Sequence, residues 1–458
     1  MHDVPVDPAL PALRDLLSPE GAPDLAAELA ERCGARVHAE AARVSYVRYR
    51  PTRGCDVLWT FPAADGQPVW VAGKMAADAA RFTASSSFQR SAEKVKEARG
   101  IETAPYVLLA DRRLLLQIFP LDARLPGLAL AADSRWSGEA VRQRLALSED
   151  EWRLTEVVPL HYKPGRRCVL RYAVDRRGRP ARYFGKVFRD DRGAPMVERL
   201  RAVRSQLLAS HAHWDVAVPA AYVPEASMLV LEGLEACDEL SPLVRKSVSD
   251  PKARETLRAY IVGAAEGLRA FQKLAVEGLE SVGPRDVLSQ YDAEFEGIRH
   301  VAPSLADAIR VQLQALDEAA LRLPREDLVV GHGAFRYNQF LVREDTLIVL
   351  DLDALQMAGR GADAGEFLAY FDLVALRRPH LRPAVRECQQ VFLGAILQHP
   401  HVDPRWLAWH RAASLVKWTH RTFLSLDTRW PELTERLLRL AEHALGDSPA
   451  CTGVPESC

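Results

Sequence analysis

The chain has 458 residues, room for a large core and roughly two to three domains, and its 60 Lys and Arg against 61 Asp and Glu leave a net charge of −1. So even a balance sets up no global field toward nucleic acid or an anionic membrane, and neither partner is expected. The seven cysteines are scattered and never form a C-x-x-C pair, which argues against a disulfide framework or a zinc site. The opening MHDVPVDPAL lacks a basic region followed by an apolar one, and no apolar run reaches membrane-spanning length, so the expectation is a cytoplasmic protein.

Residues 8–32 are rich in Ala, Leu and Glu and predict an amphipathic helix, or two, broken near Pro19 to Pro23. The strongest internal signal follows. Residues 47–55 read VRYRPTRGC and residues 160–168 read LHYKPGRRC, an offset of 113. Tyr49, Pro51, Arg53 and Cys55 recur as Tyr162, Pro164, Arg166 and Cys168, and each block leads to a Gly-Lys pair, Gly73-Lys74 and Gly185-Lys186. Tyr106-Val107 with the run Leu114 to Ile118 is echoed by Tyr222-Val223 with Met228 to Leu231. A unit of about 110 residues therefore occurs twice, each copy reading strand, tight turn, strand, a third strand ending in Gly-Lys, a helix and a further strand pair. Ala131 to Glu139 reads as the linker between copies.

From Pro251 onward apolar residues recur three and four apart, which predicts helices over Ala253 to Val276, Leu305 to Leu323, Ala364 to Leu376, Pro383 to Leu397 and Trp406 to Leu445. Four of the nine tryptophans fall between Trp406 and Trp430, either as core packing or as an aromatic wall for a ligand. Into this helical region is set one stretch, Val329 to Phe367, where polar residues sit among apolar ones: an apolar run, a polar loop and a hairpin across Arg343 to Thr346 that delivers Asp351 and Asp353. Carboxylates just past a buried strand suit a hard cation, which takes oxygen ligands from protein, phosphate and water; a solvated turn is the alternative.

The stretch resembles the catalytic segment of the aminoglycoside phosphotransferase and choline kinase group, whose pattern is H-G-D-x-x-x-x-N, a hairpin, I-D-x-D and a later Asp opening a helix. His332, Gly333, Asp351, Asp353 and Asp363 match. Ala334 stands where that family has its catalytic Asp, and Gln339 where it has a metal-binding Asn. The resemblance implies an α+β, protein-kinase-like two-lobed fold, with a mixed β-sheet small lobe, a helical large lobe and a duplicated small-lobe-like N-terminal domain. The domains it implies are 1–135 for the duplicate, 140–240 for the small lobe and 241–447 for the large lobe, with 448–458 a flexible tail.

By the same resemblance the cofactors are ATP and Mg²⁺. Lys186 would hold phosphates and Glu198 would pair with it; Glu232 lies in the segment Leu229 to Leu234, the hinge that would receive adenine. Asp351 and Gln339 would bind the metal, Asp353 would replace the missing base, and Arg336 could approach the transferring phosphate or an acidic acceptor. His332 and Asp363 read as braces of the loop, and Lys74 as a relic. Two functions stay open: a phosphotransferase acting on a small-molecule hydroxyl with an altered base, or a nucleotide-binding pseudokinase that serves a protein partner.

Overall fold

The tight turns in the two matching blocks are built alike. Arg53 N–H donates to Arg50 O and Arg166 N–H donates to Lys163 O, both at 3.0 Å. In each turn Pro takes the second place and the third residue is left-handed, Thr52 at φ 61° and Gly165 at φ 67°. That is the type II pattern, in which proline pre-sets one dihedral and the next residue must accept positive φ. Glycine does so without strain, whereas Thr52 does so as a β-branched residue.

These turns open two five-stranded sheets in a computed structural model that describes residues 4–17, 22–62, 68–210, 213–234 and 237–446. The first sheet contains β1 (Arg43–Arg50), β2 (Gly54–Phe61), β3 (Val69–Ala76), β4 (Tyr106–Leu109) and β5 (Leu114–Ile118), in the order β1-β2-β3-β5-β4. The second contains β6 (Arg153–Lys163), β7 (Arg167–Arg176) and β8 (Arg179–Phe188). After β9 (Trp214–Val216), which joins a different sheet, it is completed by β10 (Pro219–Val223) and β11 (Met228–Glu232) in the order β6-β7-β8-β11-β10. Strand for strand the two orders are the same.

The registers agree as well. Tyr49 faces Cys55 and Tyr162 faces Cys168; Gly73 lies between Val57 and Leu116, and Gly185 between Leu170 and Val230. Each Gly-Lys pair sits two residues before its strand ends, rather than at the end. Pro159 falls on the edge strand β6 at a break in register, where its missing N–H breaks no ladder.

A further likeness lies outside the blocks legible in the sequence. Asp7 Oδ2 accepts the Tyr49 hydroxyl at 2.7 Å and the Thr52 N–H at 2.8 Å. Asp122 Oδ2 accepts the Tyr162 hydroxyl at 2.8 Å and the Gly165 N–H at 2.6 Å. Both carboxylates also cap their own turn, through Ala9 N–H and Arg124 N–H. Asp7-Pro8-Ala9-Leu10-Pro11-Ala12-Leu13 and Asp122-Ala123-Arg124-Leu125-Pro126-Gly127-Leu128 share the spacing D-x-x-L-P-x-L. A buried carboxylate thus anchors the first turn of each sheet from about forty residues upstream.

The two sheets share a core in which Leu58, Trp70 and Ala72 of the first meet Leu170, Tyr172 and Val230 of the second, and Trp70 stacks on Tyr162 at 5.9 Å. Burial of each such aliphatic side chain is worth about 1.5–3 kcal/mol. The expected linker Ala131 to Glu139 is helical instead, divided between helices Leu128–Ala132 and Ser134–Arg144, because Asp133 caps the second through Arg135 and Trp136 N–H. A second correction concerns the sheets, expected to be mixed. Every pairing in both is antiparallel, since β1-β2-β3 and β6-β7-β8 are joined by short hairpins and the last two strands of each add as another.

Among the described residues the chain divides into two compact units, one within Met1–Val197 with Val218–Gly233 and Leu424–Leu426, the other within Glu198–Ala217, Leu234–Phe423 and Asp427–Cys458. Both five-stranded sheets belong to the first. The second is mainly helical. Its two small sheets are β12 (Asp238–Glu239), β15 (Phe340–Arg343), β16 (Thr346–Val349) and β9 in that order, and β13 (Ser281–Val282), β17 (Gln356–Gly359) and β14 (Leu328–Gly331). No helix among the described residues is long and apolar enough to cross a membrane. The expected tail 448–458 lies outside the described residues.

Candidate functional site

The polar loop between β14 and β15 is held by three groups. Asp363, 3% exposed in the first turn of helix Ala362–Arg377, accepts His332 N–H at 2.7 Å and Gly333 N–H at 3.0 Å. Burial pushes its carboxyl above the usual range, against the opposing pull of His332 and of those two N–H groups. His332 Nε2 lies 2.9 Å from Leu350 O and its Nδ1 takes the Ala334 N–H at 3.3 Å, so the ring donates on one side and accepts on the other. Gly333, at φ 72°, allows the closest approach: a Cβ there would stand 2.3 Å from Ala354 O. The loop therefore rests on the 3₁₀ turn Leu352–Ala354, which carries Asp353, half-buried.

The hairpin β15–β16 brings the two metal candidates together. Leu350 N–H donates to Gln339 O at 2.8 Å, and Gln339 Nε2 stands 3.5 Å from Asp351 Oδ2. Asp351 is left-handed, φ 65° and ψ 44°, a conformation aspartate tolerates better than most residues, and it turns the chain sharply at the strand end. Among the described residues no group of three or more His, Cys, Asp or Glu could hold a metal. A carboxylate and an amide oxygen nevertheless fit a hard divalent cation that draws its remaining ligands from phosphate and water.

Arg336 is the loop's second prominent side chain and is drawn inward. Its guanidinium lies 5.5 Å from the Tyr370 ring and 5.6 Å from the Trp418 ring, and its Nε donates to Ala334 O at 3.3 Å. Burial lowers its pKa, opposed by Glu366. Glu366, 3% exposed, stands 2.5 Å from Lys417 Nζ. Burial raises the Glu366 carboxyl, but Lys417, Arg421 and Arg336 outweigh it and hold it below its ordinary value. One buried carboxylate thus faces three cations, of which Arg336 reaches back to Ala334 O. Sequence reasoning missed Glu366, Lys417 and Tyr370; the scarcity of lysine in this chain was the one available pointer to Lys417.

Glu198 belongs to the same unit, where its largely exposed side chain binds Arg201 at 2.8 Å. Lys186 and Glu232 belong to the other. Lys186 is 8% exposed on β8, opposite Val169 and Leu229, with its ammonium 5.5 Å from the Phe188 ring. Glu232 closes β11; its N–H donates to Val218 O at 2.9 Å and Gly233 N–H to Arg182 O at 2.7 Å, so both amides are taken by backbone carbonyls of the same unit. Lys74 is 1% exposed and ion-paired with Asp56, which also binds Arg50 at 2.7 Å. Asp56 is the cross-strand neighbour of Lys74, as Val169 is of Lys186. At this register position the cross-strand neighbour is a carboxylate in the first sheet and a valine in the second.

No protein-family model matches the chain, and no curated protein matches its sequence. Solved structures with a partly similar course include a choline/ethanolamine kinase family protein from Mesorhizobium loti, at 11% identity and TM-score 0.44, covering 70% of this chain and 94% of that one. A thermostable mutant of an aminoglycoside phosphotransferase, in complex with ADP and hygromycin B, matches at 12% identity and TM-score 0.46, covering 68% and 99%. A glucosamine kinase in complex with glucosamine, ADP and inorganic phosphate matches at 16% identity and TM-score 0.43, covering 68% and 85%. Superpositions this loose assign neither membership of a family nor an activity.

Proposed function

We propose that the chain is an ATP-dependent phosphotransferase acting on a small-molecule hydroxyl with an altered base. The observation that carries this reading is the braced loop, in which Asp363 and His332 fix the backbone around Ala334 while Gln339 and a left-handed Asp351 stand side by side. Asp351 and Gln339 would hold a divalent cation, which when bound neutralises phosphate charge. Lys186 would bind phosphate oxygens. Asp353, on the turn that supports Gly333, would hold the acceptor's proton in place of the absent carboxylate at 334. Phosphoryl transfer needs positioning and charge neutralisation more than covalent help, so losing a base slows it without removing its foundation. We further propose that the two sheets of the first unit descend from one duplicated element, supported by their equal strand order and by the paired Asp7 and Asp122 anchors.

A second reading, a nucleotide-binding pseudokinase, has its own support. The N–H of Gly165, in the turn that would cover the phosphates, is already taken by Asp122, and the base position is Ala334. Thermal-shift titration with Mg-ATP and an ATP-consumption assay separate the two. Turnover in the wild type that Asp351→Asn abolishes, and that Ala334→Asp raises by about 10²- to 10⁴-fold, supports the enzyme. A Mg-ATP shift without turnover supports the pseudokinase, and no shift at millimolar nucleotide overturns both.

A further inference from the structure

The first unit contains a cleft of about 560 Å³ where its two sheets meet, within the range of small-molecule sites. Trp70 and Phe119 from the first sheet and Leu170 from the second form part of its wall, with the Trp70 and Phe119 rings edge to face at 5.3 Å. Arg36, Lys94 and Arg99 line it as cations. Among the described residues Arg36 and Lys94 form no ion pair, and Arg99 spends its guanidinium on two backbone carbonyls, Cys33 O at 3.3 Å and Phe119 O at 2.8 Å, which leave its charge uncompensated. The one acid on the lining, Asp133, is engaged as a helix cap. An aromatic and aliphatic wall beside three cations has complementarity for one kind of small molecule. We propose that this cleft binds an amphipathic organic anion, its apolar body against Trp70, Phe119 and Leu170 and its single carboxylate, sulfonate or phosphate against Arg36, Lys94 and Arg99.

The site is separate from the loop around Ala334, and it stands whether or not that loop turns over nucleotide. The full-length chain would be titrated with 8-anilino-1-naphthalenesulfonate, an aromatic monoanion, and with N-phenyl-1-naphthylamine, its uncharged counterpart. The expected result is saturable binding of the anion at one site, unaffected by Mg-ATP. Reversing the rim in Arg36→Glu/Lys94→Glu should weaken the anion by about tenfold or more and leave the neutral probe unchanged. Ala132→Trp, which fills the cleft from a half-buried position, should exclude both probes while circular dichroism and melting temperature report an intact fold. Should Ala132→Trp misfold, the charge-reversal pair decides alone, since both residues are exposed. Equal anion affinity in wild type and rim variant, or displacement of the probe by Mg-ATP, overturns the proposal.

Discussion

Replacing Asp122 by Ala tests the anchor that repeats in both sheets. The carboxylate is 1% exposed and accepts three bonds, from Tyr162 Oη at 2.8 Å, Gly165 N at 2.6 Å and Arg124 N at 2.7 Å. Tyr162 is 4% exposed and Gly165 is buried, so truncation strands a hydroxyl and an amide away from water. Each buried group left unmade costs about 1–3 kcal/mol, and removing a buried carboxylate returns part of that, giving a net loss of about 3 kcal/mol. Tyr162→Phe alone removes one bond and should cost about 1 kcal/mol. In the double variant no hydroxyl is left stranded, so the combined loss should fall short of the sum by about 1 kcal/mol or more. Urea unfolding measures the losses, and hydrogen exchange of the β6–β7 hairpin locates them in the first unit. Strict additivity, or unchanged exchange at the hairpin in Asp122→Ala, would refute the anchor.

Thr52→Gly should stabilise the protein by about 0.5–1 kcal/mol, because Thr52 occupies at φ 61° the place Gly165 fills in the other turn; a lower melting temperature would contradict this. Glu366→Gln should cost about 3–5 kcal/mol at pH 7, since it leaves the half-buried Lys417 and Arg336 without their buried carboxylate. Because the folded Glu366 carboxyl is held below its ordinary value near 4.5, its contribution is complete above that pH and is lost as pH falls through the folded value. Unfolding curves between pH 3 and 7 should therefore fall less steeply on the acid side in the variant, and parallel curves would reject the assignment. Lys186→Met should weaken the Mg-ATP thermal shift, whereas an unchanged shift would remove Lys186 from the phosphate site.

Much of this architecture was legible because it is local. Proline followed by a residue able to take positive φ, with alternating apolar positions on both sides, marks the hairpins at Pro51 and Pro164, and the apolar pair flanking Arg343 to Thr346 marks β15–β16. The bracing role expected of His332 and Asp363 agrees with their hydrogen bonds. What escaped was long in sequence and short in space. Asp7 acts on Tyr49 and Asp122 on Tyr162, and one shifted spacing, 115 rather than 113, hides D-x-x-L-P-x-L from a search at constant offset. Glu366 and Lys417 lie on different helices, so their pairing follows from packing that no periodicity reports. The contacts of the tryptophans are those of packing residues: Trp406 and Trp409 donate to Pro324 O and Leu316 O, and Trp418 covers Arg336.

The buried pair of Lys74 and Asp56 has a consequence for how such a lysine is retained. Changing Asp56 alone would leave an ammonium in the core, and changing Lys74 alone would leave a buried carboxylate without the ammonium it pairs with. Either single step costs about 3–5 kcal/mol, a large part of the 5–15 kcal/mol that keeps a typical domain folded. Mutation one residue at a time therefore meets a barrier in both directions, and the pair behaves as a ratchet: easy to retain, hard to leave. A Gly-Lys at the third strand of this sheet would persist through long divergence even with no chemistry to perform, and its survival in relatives would record entrenchment in the core.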